Sequence, residues 1–289
     1  MKRITPSQIP SMRALAQVGL WLLLALGPCC VRVEAVSGTS LTNLGTVTFD
    51  RNNTFGWRFT PTIDIEVTAL GFFDSTSLPA GTGTGLVQPH DVGIYRVSDQ
   101  LLVASNTIPA GTEALLAANF RYVTLPTPVR LSGGTSYLMA GFALSASPDP
   151  AAAAGNWTMA PGILYANSPL PTPINPTSGT SQYLVSARGN PPPVLTYPGV
   201  PQTAILPVFA ANFQFAPVMP ALTRIELTTN GAIISATNLT VGVTNFVEKS
   251  TVFGTWQPVQ SFVPSTDATN LLVVGVGDAA AFYRIRMGL

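Results

Sequence analysis

The chain has 289 residues, of which 46% are hydrophobic and only 9% are charged, and its 14 Lys and Arg nearly balance its 13 Asp and Glu. Because globular domains are typically about 25% charged, the sequence has too few Glu, Lys and Arg to cover the outer faces of several helices. This composition excludes a helical bundle, and it excludes nucleic-acid binding, which requires clustered basic charge. The single His excludes any mechanism that needs two.

Residues 1–35 have the order of a secretory signal peptide. Basic residues precede a short apolar run at 18–26, and small residues then end at Ala35. The run is about half as long as the roughly 20 apolar residues of a transmembrane helix. The sequence therefore predicts cleavage after Ala35. Retention as a membrane anchor is one alternative, and acylation of Cys29 is another, although Pro28 occupies the position where a lipoprotein needs a small residue.

Cleavage at this position changes the chemistry of the chain. Both cysteines, Cys29 and Cys30, would be removed, which leaves no disulfide and no thiolate metal site. An exported chain without disulfides indicates a bacterial source. Ten basic and 12 acidic residues would remain after residue 35. A net charge near −2 gives no overall attraction to membranes or polyanions, so we expect no stable membrane insertion after cleavage and no nucleic-acid partner.

From residue 41 onward, short apolar runs alternate with turn residues. Residues 63–67 read Ile-Asp-Ile-Glu-Val, and this alternation predicts a strand with one buried face. Many such strands predict an all-β, antiparallel sandwich or barrel. The predicted strands of the first part lie at 44–49, 57–60, 63–72, 91–97, 101–108, 120–123, 136–142 and 203–215.

Two short Ala-rich stretches and a proline-rich region interrupt this pattern. Residues 113–118 are expected to form one helical turn over the end of a sheet, and 151–154 a loop or a single helical turn. Because proline removes a donor from the strand ladder, residues 145–201 are expected to form long loops at one end of the sandwich, enclosing one or two short strands.

A second boundary is predicted near residues 216–220. The segments 222–227, 239–243, 256–262, 270–276 and 282–287 again read as strands. They are enough for a smaller β-sandwich over residues 221–289.

A series of short sequence motifs between residues 49 and 142 resembles an uncharacterised family of bacterial exported modules. Proteins of that family often carry a PEP-type C-terminal sorting tail, which residues 282–289 lack, so membrane sorting is not expected. The resemblance covers about residues 46–215 and implies a jelly-roll-like β-sandwich for 41–215, in a secreted, extracellular or cell-surface setting, with no established activity. The motifs lie at 55–59, 65–74, 85–86, 90–95, 101–105, 109–112, 120–123 and 131–137.

Residues 221–289 resemble a different module. The segment 256–259, Trp-Gln-Pro-Val, and the segment 282–286, Phe-Tyr-Arg-Ile-Arg, are similar to a C-terminal module common in secreted proteins of planctomycete- and verrucomicrobium-type bacteria. That resemblance implies a small immunoglobulin- or fibronectin-like sandwich.

The titratable residues offer few candidates for chemistry. His90 lacks both a G-x-S-x-G nucleophile motif and an H-E-x-x-H metal motif, so we expect a hydrogen-bonded structural role for it at a loop–strand junction. We expect Asp74 to cap a turn or to form an ion pair with Arg96 or Arg121. A structural Ca²⁺ held by Asp74 and Asp91 is the alternative. No other metal and no cofactor is predicted.

The aromatic residues offer a binding surface. Trp157 and Tyr165 lie in the proline-rich region, where exposed rings would stack on sugars, whereas Trp57 is expected in the core. We therefore expect a secreted or cell-envelope module that is structural or binds an extracellular polysaccharide or an envelope protein, without catalysis. The alternatives are a carbohydrate-binding module that uses the loop aromatics and a β-sandwich hydrolase. The hydrolase would need two or more of Asp74, His90, Asp91, Glu113 and Asp149 to converge in a pocket.

Overall fold

The structure of the protein is a computed structural model that describes residues 35–47, 52–74, 85–144, 149, 151–165, 181–185, 194–204, 208–228, 231–252, 254–273 and 281–288. Within these ranges the chain is all-β, with turns and strands but no helix. The predicted fold class is therefore confirmed. In the same ranges there is no helix long and apolar enough to cross a membrane. The predicted signal peptide lies outside the described residues, apart from Ala35.

The strands are short and numerous, as the turn residues predict. In the first part they are β1 (Val36–Ser37), β2 (Thr39–Val47), β3 (Asn53–Pro61), β4 (Ile65–Phe73), β5 (His90–Arg96), β6 (Leu102–Ile108), β7 (Leu115–Ala117), β8 (Phe120–Leu131), β9 (Tyr137–Ala143), β10 (Ala151–Met159), β11 (Ile163–Tyr165), β12 (Ser181–Val185), β13 (Val200–Ala204), β14 (Val208–Phe209) and β15 (Ala211–Pro217). After them come β16 (Ala221–Thr228), β17 (Gly231–Thr237), β18 (Asn245–Ser250), β19 (Gln257–Phe262), β20 (Thr269–Val273) and β21 (Phe282–Met287).

Two antiparallel sheets of the first part have the strand order of a jelly roll. One sheet runs β1-β15-β4-β8-β7, and the other runs β13-β12-β3-β9-β5-β6, with β11 also on β3. The eight strands β1, β3, β4, β5, β6, β8, β9 and β15 can be numbered 1 to 8 in chain order. The sheets then contain 1-8-3-6 and 2-7-4-5, which is the interleaved order of two Greek keys. The jelly-roll-like sandwich is confirmed, and a third sheet, β14-β10-β2, adds to it.

The core of the jelly roll is aromatic, and strand alternation creates it. In β4, Ile65 and Val67 are fully buried while Glu66 between them is exposed, as a strand with one wet face requires. Trp57 is buried among Phe59, Phe209 and Phe213, and its indole N–H donates to the Ala211 carbonyl at 2.8 Å. The prediction that Trp57 lies in the core is confirmed.

Both Ala-rich stretches form strands, so the helical turn expected at 113–118 and the loop or helical turn expected at 151–154 are wrong. Residues 115–117 form β7, which pairs with β8. Residues 151–154 begin β10, which pairs with β2 and β14. Ala151 and Ala152 are fully buried against the core. Tertiary packing overrides the helix propensity of alanine here, which is high but decides little by itself.

The proline-rich region contains more strand than predicted. Between residues 145 and 201 the described chain forms β10, β11, β12 and the start of β13, and β10 alone has nine residues. The expectation of one or two short strands is therefore too low. Pro201 lies in β13, the edge strand of its sheet. Proline is tolerated on an edge strand because one side of that strand has no partner. The remaining residues of this region lie outside the described ranges.

Residues 221–287 form two three-stranded sheets, β16-β17-β20 and β19-β18-β21. Labelled A, B, C, C′, E and F in chain order, they read A-B-E and C′-C-F, the strand order of a fibronectin-like sandwich. Their own core centres on Ile234, Val247 and Val273. The strand expected at 239–243 is wrong, because Leu239 lies in the connection before β18, and β17 supplies the pairing instead.

Among the described residues, no strand before residue 218 pairs with a strand after residue 220. The boundary predicted near residues 216–220 lies at this change of partner. The assignment of residues 41–215 and 221–289 to two separate modules stays a prediction.

Candidate functional site

His90 and Asp149 form a buried pair between the two jelly-roll sheets. His90 is the first residue of β5, only 1% exposed, and its ring stacks on Phe72 with the centroids 3.7 Å apart. Its Nδ1–H donates to the Phe142 carbonyl on β9 at 3.0 Å, and Nε2 lies 3.0 Å from the Asp149 carboxylate. The hydrogen bonds and the loop–strand position predicted for His90 are confirmed by this geometry, and its structural role stays a prediction.

The Asp149 carboxylate accepts more than the histidine bond. The backbone N–H groups of Val87 and Gln88 donate to it at 2.9 and 3.0 Å. Both His90 nitrogens therefore face oxygen atoms, those of the Phe142 carbonyl and the Asp149 carboxylate. Burial acts to raise the pKa of Asp149, but the hydrogen bonds from His90, Val87 and Gln88 outweigh it and lower the pKa below its usual value.

A second buried pair ties the end of β4 to the β7–β8 hairpin. The Arg121 Nε–H donates to the Asp74 carboxylate at 2.6 Å, and both residues are buried. The Arg121 Nη1 also donates to the carbonyls of Thr112 and Ala114. Of the two arginines predicted as partners of Asp74, Arg121 is the one that pairs with it.

The two residues of the predicted calcium site have different partners. Asp74 is bound to Arg121, whereas Asp91 accepts a 2.6 Å hydrogen bond from the Thr107 hydroxyl on β6. The described ranges contain no cluster of three His, Cys, Asp or Glu side chains positioned to hold a metal ion. The calcium site stays a prediction.

Trp157 on β10 and Tyr165 on β11 do meet, as the predicted sugar platform requires. Their ring centroids are 5.9 Å apart, but the ring planes are tilted by 55°. Both side chains are half-buried, and both also contact Phe209, while Tyr165 stacks on Trp57. This geometry packs the pair onto the core, and their role in carbohydrate binding stays a prediction.

The outer face of the β19-β18-β21 sheet carries a charged and aromatic cluster that the sequence did not predict. Glu248 on β18 accepts a 2.7 Å hydrogen bond from the Nε–H of Arg284 and another from that of Arg286, both on β21. The Arg284 guanidinium lies 4.4 Å from the centre of the Trp256 ring, and that of Arg286 lies 4.5 Å from the centre of the Phe246 ring. We call these five residues the arginine ladder.

The arginine ladder has one buried and two exposed charges. The Glu248 side chain is 6% exposed, whereas those of Arg284 and Arg286 are 45% and 47% exposed. The hydrogen bond from Arg286 has the largest influence on the pKa of Glu248; burial opposes it, and the bond from Arg284 adds to it, so the pKa is lowered. The two arginines at positions 284 and 286, which alternation places on one face of a strand, were the sequence signal for this cluster.

Known proteins give no further guide to the site. No protein-family model matches the chain, and no curated protein matches it. The family resemblances therefore stay predictions.

Proposed function

We propose that the chain is a secreted or cell-envelope module of a bacterium that supports or binds an extracellular polysaccharide or an envelope protein and catalyses no reaction. The order of basic, apolar and small residues in 1–35 supports the location. The double β-sandwich supports the binding or structural role, because such folds present strand faces and loops on a rigid scaffold.

The observation that carries the non-catalytic part is how the buried titratable side chains are used. Asp74 is bonded to Arg121, His90 to Asp149, and Glu248 to two arginines. A general acid or base has to reach a proton on the substrate. His90, the one histidine, is enclosed and is hydrogen-bonded at both ring nitrogens.

An assay on polysaccharides tests this part. The purified protein is incubated with insoluble and soluble polysaccharides, and both the bound protein and the reducing ends released are measured. We expect protein to sediment with at least one insoluble polymer or with isolated envelopes while no reducing ends appear. Release of sugar that is lost in His90→Gln and kept in the surface variant Asp99→Asn would overturn the proposal.

The location is tested separately. The full chain with a C-terminal tag is expressed in a bacterial host, the cells are fractionated, and the intact mass of the tagged protein is measured. We expect the intact mass to match a chain that begins at Val36, and we expect this chain in the fractions outside the cytoplasm. A full-length chain that stays in the cytoplasm of a host that exports other proteins would contradict this part.

A further inference from the structure

The arginine ladder faces away from the core of its sandwich. On β18 and β21, Val247 and Ile285 point into that core, and the alternating residues Glu248, Arg284 and Arg286 lie on the opposite face. Exposed arginines on a strand need no aromatic neighbours to stay soluble. Here each guanidinium is nevertheless held between a ring and a carboxylate.

This arrangement fixes two guanidinium groups in advance. The two arginines are two residues apart on one strand, which places their Cα atoms about 7 Å apart on the same face. Each gives its Nε–H to Glu248, and Arg286 makes one further contact of 3.4 Å with the Met287 carbonyl. Most of the η N–H groups thus have no acceptor among the described residues, and the side chains that carry them are already ordered. A ligand that binds them loses little further side-chain entropy.

The charge of the cluster is positive although the mature chain is acidic. Two guanidinium groups and one carboxylate give +1 on this face, against a net charge near −2 for residues 36–289. Attraction for an anion is therefore local and does not come from the field of the whole protein. The guanidinium fork matches the two oxygens of a carboxylate or a sulfate.

A hydroxyl group lies beside the cluster. Ser261 on β19 is exposed and lies opposite Phe246. Protein partners are anchored by apolar residues in desolvated pockets. A face that offers charges, a hydroxyl and half-buried rings fits a polymer that carries anionic groups together with sugar hydroxyls.

From these observations we propose that the arginine ladder binds the carboxylate or sulfate groups of an acidic polysaccharide. Arg284 and Arg286 contact the anionic group, Trp256 and Phe246 hold the guanidiniums in place, and Glu248 sets their spacing. This inference rests on the proposed binding function and names its ligand class.

The test measures affinity of the purified full chain for polygalacturonate, dextran sulfate and neutral dextran at low and moderate salt. The variants Arg284→Gln and Arg286→Gln each leave one arginine for Glu248. Arg224→Gln is the matched control, because Arg224 is exposed and paired with Glu226 on the other sheet. We expect each ladder variant to lose about tenfold in affinity for the acidic polymers. Arg224→Gln should lose little, and neutral dextran should not bind.

Glu248→Gln removes the carboxylate that orders both guanidinium groups. One Nε–H group loses its acceptor, so affinity for both acidic polymers should fall although the face becomes more positive. Nonspecific attraction to positive charge would instead make the affinity rise. Tighter binding of polygalacturonate would identify the carboxylate as the bound group, and tighter binding of dextran sulfate would identify the sulfate.

The inference is overturned by equal losses in Arg284→Gln and Arg224→Gln, or by an unchanged or higher affinity in Glu248→Gln. It is also overturned if an acidic polypeptide such as polyglutamate binds as tightly as the polysaccharides. Sedimentation with envelopes that persists in both ladder variants would also overturn this site, but it would leave the proposed function standing. Loss of all binding by the wild-type protein would contradict both.

Discussion

At the scale of single residues, most of the buried charged side chains among the described residues are held in pairs. His90 and Asp149 are 59 positions apart in the sequence and meet only because the jelly roll brings the start of β5 against the segment before β10. Removing one member of a buried pair leaves the other charge without compensation, which destabilises a protein far more than the loss of an exposed pair.

Asp149→Asn tests the worth of this pair. The amide keeps the shape of the side chain but removes the negative charge opposite His90, so we expect the free energy of unfolding to fall by about 3 kcal/mol near neutral pH. Urea denaturation followed by circular dichroism measures the change. Asp99→Asn is the control, because Asp99 and Arg96 pair on the surface, and its denaturation midpoint should stay within experimental error of the wild type.

The difference between wild type and Asp149→Asn should also depend on pH. The folded protein lowers the pKa of Asp149 below its ordinary value of 3.8. The carboxylate therefore stabilises the fold fully above that value, and this contribution is lost as the pH falls through the lower, folded pKa. We expect the two denaturation midpoints to converge as the pH falls below 3.8. A difference that stays constant over this range would contradict the assignment.

These residue contacts were only partly predictable. Arg121 lies in a strand and needs a nearby acid, so Asp74 was a reasonable partner from sequence alone. Asp149 was not tied to His90, because nothing local connects residues so far apart in the chain. The arginine ladder was missed for a similar reason, since Glu248 and Arg284 are 36 positions apart.

At the scale of elements, the β7–β8 hairpin shows why an Ala-rich segment became a strand. Its two-residue loop is Ala118-Asn119, and both residues have positive φ, 48° and 68°. This is the signature of a type I′ turn, whose twist suits an antiparallel hairpin. Asn accepts this conformation readily, but Ala does not.

Ala118→Gly should therefore stabilise the protein. Relief of the left-handed strain favours glycine by about 1 kcal/mol, and the side chain of Ala118 is exposed, so little packing is lost. Gly111→Ala provides the matched opposite change, because Gly111 has φ 84° and an added Cβ there would contact nothing within 4 Å. Thermal melts should move up for Ala118→Gly and down for Gly111→Ala. A lower melting temperature for Ala118→Gly would show that the turn is held in another way.

Element boundaries were predicted best where the alternation of side chains is strong. The strand predicted at 282–287 coincides with β21, and that at 63–72 nearly coincides with β4. The prediction at 239–243 was wrong, because the buried residues Leu239 and Thr240 fill a connection rather than a strand. A short apolar run marks burial, but by itself it does not distinguish a strand from a buried turn.

At the scale of the whole molecule, the low charge count explains more than the absence of helices from the described ranges. The chain has few charged side chains, and several of them form buried pairs that connect segments distant in the sequence. The strand order of the jelly roll was available only through the family resemblance, since periodicity predicts strands but not which strands pair. The strands before residue 218 and those after residue 220 pair only among themselves in the described ranges. Each group has a hydrophobic core of its own, one in the jelly roll and one in residues 221–287.

Separate cores predict two unfolding transitions. Ile94 and Ile234 are both fully buried, the first in the jelly-roll core and the second in the core of residues 221–287. Replacing a buried Ile by Ala destabilises its own core by about 3 kcal/mol through lost contacts and a residual cavity. Scanning calorimetry of the full chain should then show Ile234→Ala lowering one transition and Ile94→Ala lowering the other. If the two variants lower a single common transition by similar amounts, residues 35–288 unfold as one cooperative unit and the predicted division into two modules fails.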